Sequence, residues 1–308
     1  MKGLVLKTTG KYYDVEGEDG KRYSCQVRGK LRLKGSSTTN PVAAGDHVSF
    51  EEQRGEFLIT DIFPRKNYII RKSVNLSREA SIIAANIDRA FLLVTHASPD
   101  TPAGFIDRFL VTAEAYSIPA VLLFHKFDQY NTREKEEVES RISDYEKVGY
   151  TCLRTSIISG LGIDTLRELM SGKVSLFSGQ SGAGKSSLIN TLLPGLELRT
   201  SEISSWSDKG QHTTTFAEMF TIPGGGYLVD TPGIKGFGLV DIPKEELHHH
   251  FIEFFRLLPE CKFSNCMHIN EPGCAVRRAV ESGQIPASRY KSYLSMFNDE
   301  EETYRGGN

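Results

Sequence analysis

Apolar and polar positions follow three regimes along the chain. Over residues 1–70 they alternate in short runs, as in GLVLKTTGKYYDVEGEDGKRYSCQVRGKL, broken by the turn-like Glu18-Asp19-Gly20. Further strands are expected at His47–Phe50 and Phe57–Thr60. Alternation with period two over short, evenly spaced runs predicts a small barrel or sandwich, and an OB-type barrel fits the length. Residues 71–90 read as a link. From Ala90 the pattern changes to continuous apolar runs at 90–96, 120–124, 150–155 and 174–178, separated by helix-like stretches. One such helix is expected over Gly104–Tyr116, with Phe105, Ile106, Phe109 and Leu110 on its apolar face. Strands that alternate with helices predict a mainly parallel sheet wrapped by helices, with ligands at the carboxyl ends of its strands. A third regime starts near Asp241, with a helix-like run over Lys244–Leu258 and two short helices within 275–295.

Chemistry-bearing residues stand where that sheet places them, just after its strands. The run Val174–Phe177 enters Gly179-Gln180-Ser181-Gly182-Ala183-Gly184-Lys185-Ser186, followed by Ser187 and a helical pattern carrying Leu188, Ile189, Leu192 and Leu193. This is G-x-x-x-x-G-K-[ST] between strand and helix, the phosphate-binding loop. Its glycines let successive N–H groups turn inward on a phosphate, and the helix N-terminus adds a positive dipole end. Lys185 is placed to reach the β- and γ-phosphates, and the Ser186 hydroxyl to ligate Mg²⁺. A nucleoside triphosphate is the expected ligand.

After the run at 120–124 comes His125-Lys126-Phe127-Asp128, which resembles the N/T-K-x-D guanine motif of GTPases. The Asp128 carboxylate can accept from both N1–H and the 2-amino group of guanine; adenine offers no such pair and would leave it unmatched. The Lys126 stem is expected along the purine plane, and His125 stands where Asn is usual. After 150–155, Thr155-Ser156-Ile157 resembles the loop whose backbone N–H meets guanine O6. Beyond the phosphate loop, a polar stretch from Thr200 leads to Gln211-His212-Thr213-Thr214-Thr215, the expected first switch, with Thr214 on Mg²⁺. The strand Tyr227–Val229 then ends in Asp230-Thr231-Pro232-Gly233, a match to D-x-x-G. There Asp230 would hold Mg²⁺ through water, and the Gly233 N–H would bond the γ-phosphate.

The order of these motifs carries as much information as their content. In ordinary GTPases the guanine motifs follow D-x-x-G, whereas here no N/T-K-x-D stands after Gly233. The chain reads as circularly permuted, a rearrangement tolerated where termini lie close together at a surface. The residue after Gly233 is Ile234, which cannot orient water, so slow intrinsic turnover is expected and His212 is the candidate water-positioner.

Near the C-terminus stands Cys261-x4-Cys266-x-His268-x5-Cys274. Three thiolates and an imidazole are a tetrahedral Cys₃His set for one structural Zn²⁺, which supplies folding energy to a segment too small for its own core. His248, His249 and His250 read as a helix surface.

The chain has 308 residues, 39% hydrophobic and 25% charged, the balance of a soluble globular protein of two or three domains. No apolar run reaches the ~20 residues of a membrane span. The N-terminus lacks a signal-peptide core, so the expected location is the cytoplasm. The net charge of −2 hides polarity: residues 1–72 hold 14 Lys or Arg against 9 Asp or Glu, and the tail carries Asp299–Glu302. The acid-free basic stretch 21–34 is either an RNA contact or a solvated hairpin. The basic residues Arg277, Arg278, Arg289 and Lys291 of the last helices leave the same two readings open.

Together these features resemble the ribosome small-subunit-dependent GTPases of the RsgA (YjeQ) family over nearly the whole chain. The resemblance implies an OB barrel over 1–70, a permuted GTPase domain over 71–240 and a helical zinc domain over 241–308. It further implies binding to the 30S subunit and its 16S rRNA, GTP hydrolysis stimulated there, and a role in late subunit maturation. A monomer cycling between GTP and GDP is expected. The other classes open to the sequence are a P-loop kinase or ATPase and a GTP-switched RNA-binding module with a different partner.

Overall fold

The computed structural model describes residues 1–27, 41–72, 80–194, 217–230 and 242–298; at 71, 72, 80, 81 and 230 it describes the backbone alone. The N-terminal strands are β1 (Lys2–Thr8), β2 (Tyr13–Gly17), β3 (Arg22–Val27), β4 (His47–Gln53) and β5 (Glu56–Ile62). They close in the order β1-β2-β3-β5-β4-β1, with β3 and β5 parallel and every other pair antiparallel. This is the expected OB-like barrel. Alternation along β2 turns Tyr13, Val15 and Gly17 inward, where Val5, Cys25, Val48, Phe50 and Ile59 complete the core. Burying each large apolar side chain there contributes about 1.5–3 kcal/mol.

Residues 71–90 are not a simple link. β6 (Tyr68–Lys72) and β7 (Ala80–Ala85) pair antiparallel, because Tyr68, Ile69 and Ile70 face Ala85, Ala84 and Ile82. The barrel is pinned to this pair at Gly45. Its φ is +90°, and a Cβ there would stand 2.1 Å from the Ala85 carbonyl oxygen, so only glycine fits. The buried Asp46 carboxylate alongside takes a bidentate grip from Arg65 at 2.6 Å on both oxygens.

The α/β part contains β8 (Arg89–Val94), α1 (Ala103–Ala115), β9 (Ala120–Phe124), α2 (Thr132–Val148), β10 (Thr151–Arg154), α3 (Ile163–Met170), β11 (Lys173–Gly179), α4 (Lys185–Leu192), β12 (Glu218–Thr221) and β13 (Gly226–Asp230). Strands run in the order β10-β9-β8-β11-β13-β12, parallel except for the edge strand β12. Phe91 and Leu93 face one side of the sheet with Phe177, Leu188 and Leu192, while Leu92 and Val94 face the other with Phe109, Leu110 and Ile142. Both faces are covered, which is why β8 reads as a continuous apolar run. The α2 boundaries follow a capping box between Asn131 and Glu134 and a left-handed Gly149 at its end. Through β12 the sheet joins β1 of the barrel, with Lys7 opposite Glu218 and their side chains ion-paired at 2.7 Å.

The C-terminal part packs a 3-10 turn (Leu247–His250), α5 (Ile252–Leu257), α6 (Ala275–Glu281) and α7 (Ala287–Asn298) around Phe251, Phe254, Val276 and Tyr293. Val111 of α1 belongs to this cluster, so the segment borrows core from the α/β part. Three expectations change here. The helix over 244–258 is split, with 3-10 geometry first and α5 only from Ile252. His248 is buried at 4% exposure, not a helix surface, with its ring centroid 5.2 Å from that of His268. Arg289 is not part of a basic face: it is 1% exposed and ion-paired to Asp107 and Glu253. Arg278 and Lys291 do face solvent, and Arg277 is half-buried.

Candidate functional site

In this sheet the chain leaves β8 toward β9 and β10 on one side, and leaves β11 toward β13 and β12 on the other. A crevice therefore opens beyond the carboxyl ends of β8 and β11, where such folds bind ligands. The sequence motifs converge on it. Gly179 ends β11 with its Cα against Leu93, so that a Cβ would come within 3.1 Å of the Leu93 Cβ. The loop then turns through Gly182 and Gly184 at φ +83° and +96°, with the Ala183 N–H bonded to the Gln180 carbonyl at 3.1 Å. Ala183 is buried under the turn, Ser181 and Gly182 are exposed, and Gln180, Lys185, Ser186 and Ser187 are half-buried at the head of α4. The Leu188 N–H donates to the Gly184 carbonyl at 2.9 Å and closes the first turn of α4, and a helix N-terminus in this position favours an anion.

The guanine-type loop lies against the phosphate loop. Lys126 is left-handed at φ +59°, and its Nζ donates to the Gly182 carbonyl at 2.9 Å and the Ser98 carbonyl at 2.8 Å. Its ammonium thus ties the two nucleotide loops together in addition to the purine-lining role expected of its stem. Asp128 sits exposed on a 3-10 turn (Phe127–Gln129), and among the described residues nothing donates a hydrogen bond to its carboxylate. His125 is 1% exposed; its Nδ1 meets Thr155 Oγ1 at 2.9 Å, and burial pulls its imidazole down to about 4. It is neutral at pH 7.

Ser156 is fully buried, and its side chain shapes the loop: Oγ accepts from the Ile158 and Ser159 N–H groups at 3.2 and 3.1 Å. Gly162 closes that loop at φ +70°, where a Cβ would stand 2.1 Å from the Arg154 carbonyl oxygen. The sequence reading missed Tyr130 and the segment after β8. The Tyr130 hydroxyl accepts from the His96 N–H at 2.8 Å and donates to the His125 carbonyl at 2.7 Å. Pro99 lies against Gly182. No motif marks these residues; only their position after parallel strands could have drawn attention to them.

The expectations on His212, Thr214, Gly233 and Ile234 lie outside the described residues, as does the Asp230 side chain. The Asp230 backbone ends β13 next to β11, opposite Glu218 of β12.

The second candidate site is the Cys261, Cys266, His268 and Cys274 cluster, whose ligand atoms all lie within 4.8 Å of one another. His268 Nδ1 points at Cys274 Sγ (3.3 Å) and Cys261 Sγ (3.7 Å). The Ala275 and Arg277 N–H groups approach Cys261 Sγ and Cys274 Sγ at 3.3 and 3.4 Å, an arrangement that stabilises thiolates. Glu271 orders the intervening knuckle by accepting from the Met267, Ile269 and Asn270 N–H groups. Burial pushes the Cys266 thiol up to about 12, so a thiolate there needs a cation beside it. The donor set, its spacing and its burial fit a closed tetrahedral site for a metal of the zinc type.

Two family profiles match the chain: the RsgA N-terminal domain over residues 2–57 and the RsgA GTPase over 62–240. The small ribosomal subunit biogenesis GTPase RsgA of Bacteroides fragilis is 53% identical over 303 residues, covering 98% of both chains. Its counterpart in Christiangramia forsetii is 52% identical over 99% of this chain and 98% of that one. Among solved structures, YjeQ from Thermotoga maritima superposes with a TM-score of 0.78 at 35% identity, covering 96% of each chain. YloQ, described as a circularly permuted GTPase, gives 0.75 at 26% identity over 96% of this chain and 93% of that one.

Proposed function

The chain belongs to the RsgA family of circularly permuted GTPases, and from that premise we propose that it hydrolyses GTP on the small ribosomal subunit during its late maturation. The observation that carries this reading is the Lys126 ammonium, which joins a guanine-type loop to a phosphate loop in one crevice. A loop pair built this way binds base and phosphates of a single nucleotide, and Asp128, unclaimed by any hydrogen bond among the described residues, selects guanine.

In the proposed mechanism the N–H groups of Gly179–Ser187 and the Lys185 ammonium hold the β- and γ-phosphates and take up charge as it develops. Ser186 and Thr214 would ligate Mg²⁺, with Asp230 acting through water, and the ion would neutralise the phosphate oxygens. The Gly233 N–H bonds the γ-phosphate. Water attacks in line, oriented by His212. Because Ile234 follows Gly233, turnover is slow until the ribosomal partner orders the attacking water.

The Cys₃His cluster holds one structural Zn²⁺. The chain works as a cytoplasmic monomer, cycling between GTP and GDP and contacting 16S rRNA through the barrel and the zinc segment. Among the described residues no helix is long and apolar enough to cross a membrane. Its working divisions are a barrel over 1–70, a GTPase domain over 71–240 and a zinc domain over 241–308.

The test is GTP turnover by the purified protein alone, with 30S subunits, and with 50S subunits and ATP as controls. Stimulation by 30S with GTP alone supports the reading. A flat response to 30S removes the partner, and equal turnover of ATP removes the guanine assignment.

A further inference from the structure

One helix holds the metal-ligand knuckle from outside. His268 is fully buried and sits at φ +62°, a left-handed backbone that residues other than glycine seldom adopt. Its Cα joins two planar peptides, Met267–His268 and His268–Ile269, and the settings of those planes fix the direction in which its side chain leaves the backbone. A tyrosine of α7 takes the carbonyl of each. Tyr293 Oη donates to the Met267 carbonyl at 2.6 Å, and Tyr290 Oη donates to the His268 carbonyl at 2.7 Å. Glu271 accepts from the Ile269 N–H at 2.8 Å, so the second peptide is held at both ends. The two tyrosines stand three residues apart on α7 and share one face of it. Between them and the ligand lies Phe254, whose ring meets Tyr293 and His268 edge-on at centroid distances of 5.0 and 5.7 Å. The helix itself is anchored, because Arg289, the residue before Tyr290, is ion-paired to Asp107 of α1.

We propose that Tyr290 and Tyr293 are positioning residues for the metal site: their hydroxyls lock the two peptides around His268, so that its Nδ1 is presented to Cys261 and Cys274. The distances from Nδ1 to those two sulfurs, 3.7 and 3.3 Å, are the outcome of that lock. The proposal rests on the metal-site reading above and adds an outer layer to it. Neither tyrosine supplies a ligand atom, yet both decide how the one nitrogen ligand stands among the three sulfurs. Without the hydroxyls, part of the binding free energy goes into ordering the left-handed turn, and buried carbonyls lose their partners. Metal affinity then falls while the ligand set stays the same.

The experiment measures Zn²⁺ affinity of the full-length protein by competition with a chromogenic chelator, and the absorption spectrum of the Co²⁺-loaded protein. Variants are Tyr290→Phe and Tyr293→Phe, which keep the rings and their packing. Tyr227→Phe is the control, since it deletes a hydroxyl bond to Glu16 at the junction with the barrel. Each α7 variant is expected to lose roughly tenfold in Zn²⁺ affinity and to shift the Co²⁺ bands, as a displaced nitrogen ligand changes the ligand field. The control keeps wild-type affinity and bands. Tyr290 is only half-buried, so Tyr290→Phe carries the test should Tyr293→Phe not fold. Wild-type affinity and bands in both α7 variants overturn the proposal. A lowered unfolding temperature with unchanged affinity and bands overturns it as well, because the hydroxyls then serve packing alone. A wild-type protein that binds no Zn²⁺ removes the metal-site reading itself, an outcome separate from both.

Discussion

Arg289 and Asp107 are 182 residues apart in the chain, and Arg289 Nη1 donates to Asp107 Oδ1 at 2.7 Å, with both side chains essentially inaccessible to water. Asp107 lies on α1 of the α/β part and Arg289 on α7 of the C-terminal part. Glu253 of α5 takes the other edge of the guanidinium at 2.8 and 3.1 Å, and Tyr145 Oη of α2 bonds the same Asp107 oxygen at 3.0 Å. The guanidinium carbon also stands 4.6 Å from the Phe251 ring centroid. Burial acts against the charge on Arg289, but Asp107 and Glu253 overcome it and hold the guanidinium well above its ordinary value. One cation therefore stitches the zinc-binding segment to the nucleotide-binding sheet.

Arg289→Met is expected to destabilise the folded protein by about 3–5 kcal/mol, because two buried carboxylates lose their partner while the packing volume is nearly kept. The combined change Asp107→Leu, Glu253→Leu and Arg289→Met removes all the charges together and is expected to cost far less. Urea unfolding of the two variants checks the difference. If the single variant is as stable as the triple one, water reaches the cluster and the stitch is not dry.

Much of this architecture was legible in the sequence because period and punctuation agree. Period-two runs gave the barrel, the run at 174–178 before Gly179 gave the phosphate loop, and Cys261 to Cys274 gave the metal cluster. Three features were not legible, each for a physical reason. Arg289 follows a solvent-like pattern on its own helix, and only partners 36 and 182 residues away make its burial possible. His248 sits in a run of three histidines that looks solvated, and it turns inward because the 3-10 geometry of Leu247–His250 changes its face. The pairing of β6 with β7 carries no motif, and its tie to the barrel joins residues far apart in the chain: Asn86 Nδ2 donates to the Gly45 carbonyl at 2.8 Å.

The neutral, buried His125 makes stability depend on pH. In the unfolded chain an imidazole takes a proton below about 6.5, whereas burial delays this in the folded protein until about 4. Between these values the unfolded state binds the extra proton, so stability falls as pH is lowered through that window and is fully present above it. The loss from this residue is at most about 3 kcal/mol. Chemical denaturation at pH 7 and pH 5 checks it, and His125→Asn is expected to flatten the slope. An equal slope in the variant would assign the pH dependence to other groups.

Removing the metal is expected to loosen the C-terminal segment first. Cys266 and Cys274 belong to the same apolar cluster as Phe251, Phe254 and Tyr293, so the cluster cannot pack around four unshielded ligands. Loss of even ~3 kcal/mol corresponds to a drop of about 5 °C in unfolding temperature for a chain of 308 residues. Differential scanning fluorimetry with a chelator, and of Cys266→Ser, reads this directly. Metal content measured by atomic absorption should fall in parallel, and an unchanged melting temperature after complete metal loss would show that the site contributes nothing to folding.

Asp128→Asn gives the sharpest test of base selection. The carboxylate is exposed, held on the 3-10 turn after Lys126, and accepts no hydrogen bond from the described residues, so its replacement by an isosteric amide should leave the fold untouched. The chemistry changes completely. A carboxylate accepts from N1–H and the 2-amino group of guanine, whereas an amide offers one acceptor and a donor, so one of the two bonds becomes a clash of donors. Xanthine carries a carbonyl at C2 where guanine carries the amine, and the amide satisfies it. The expected outcome is a loss of GDP affinity of roughly 10²–10³-fold with a gain for XDP, as follows when a site leaves a buried polar group unpaired. Competition of both nucleotides against a fluorescent GDP analogue measures the pair. A variant that loses both equally would place Asp128 in loop structure instead of base recognition, and would return the guanine assignment to Ser156 and its neighbours.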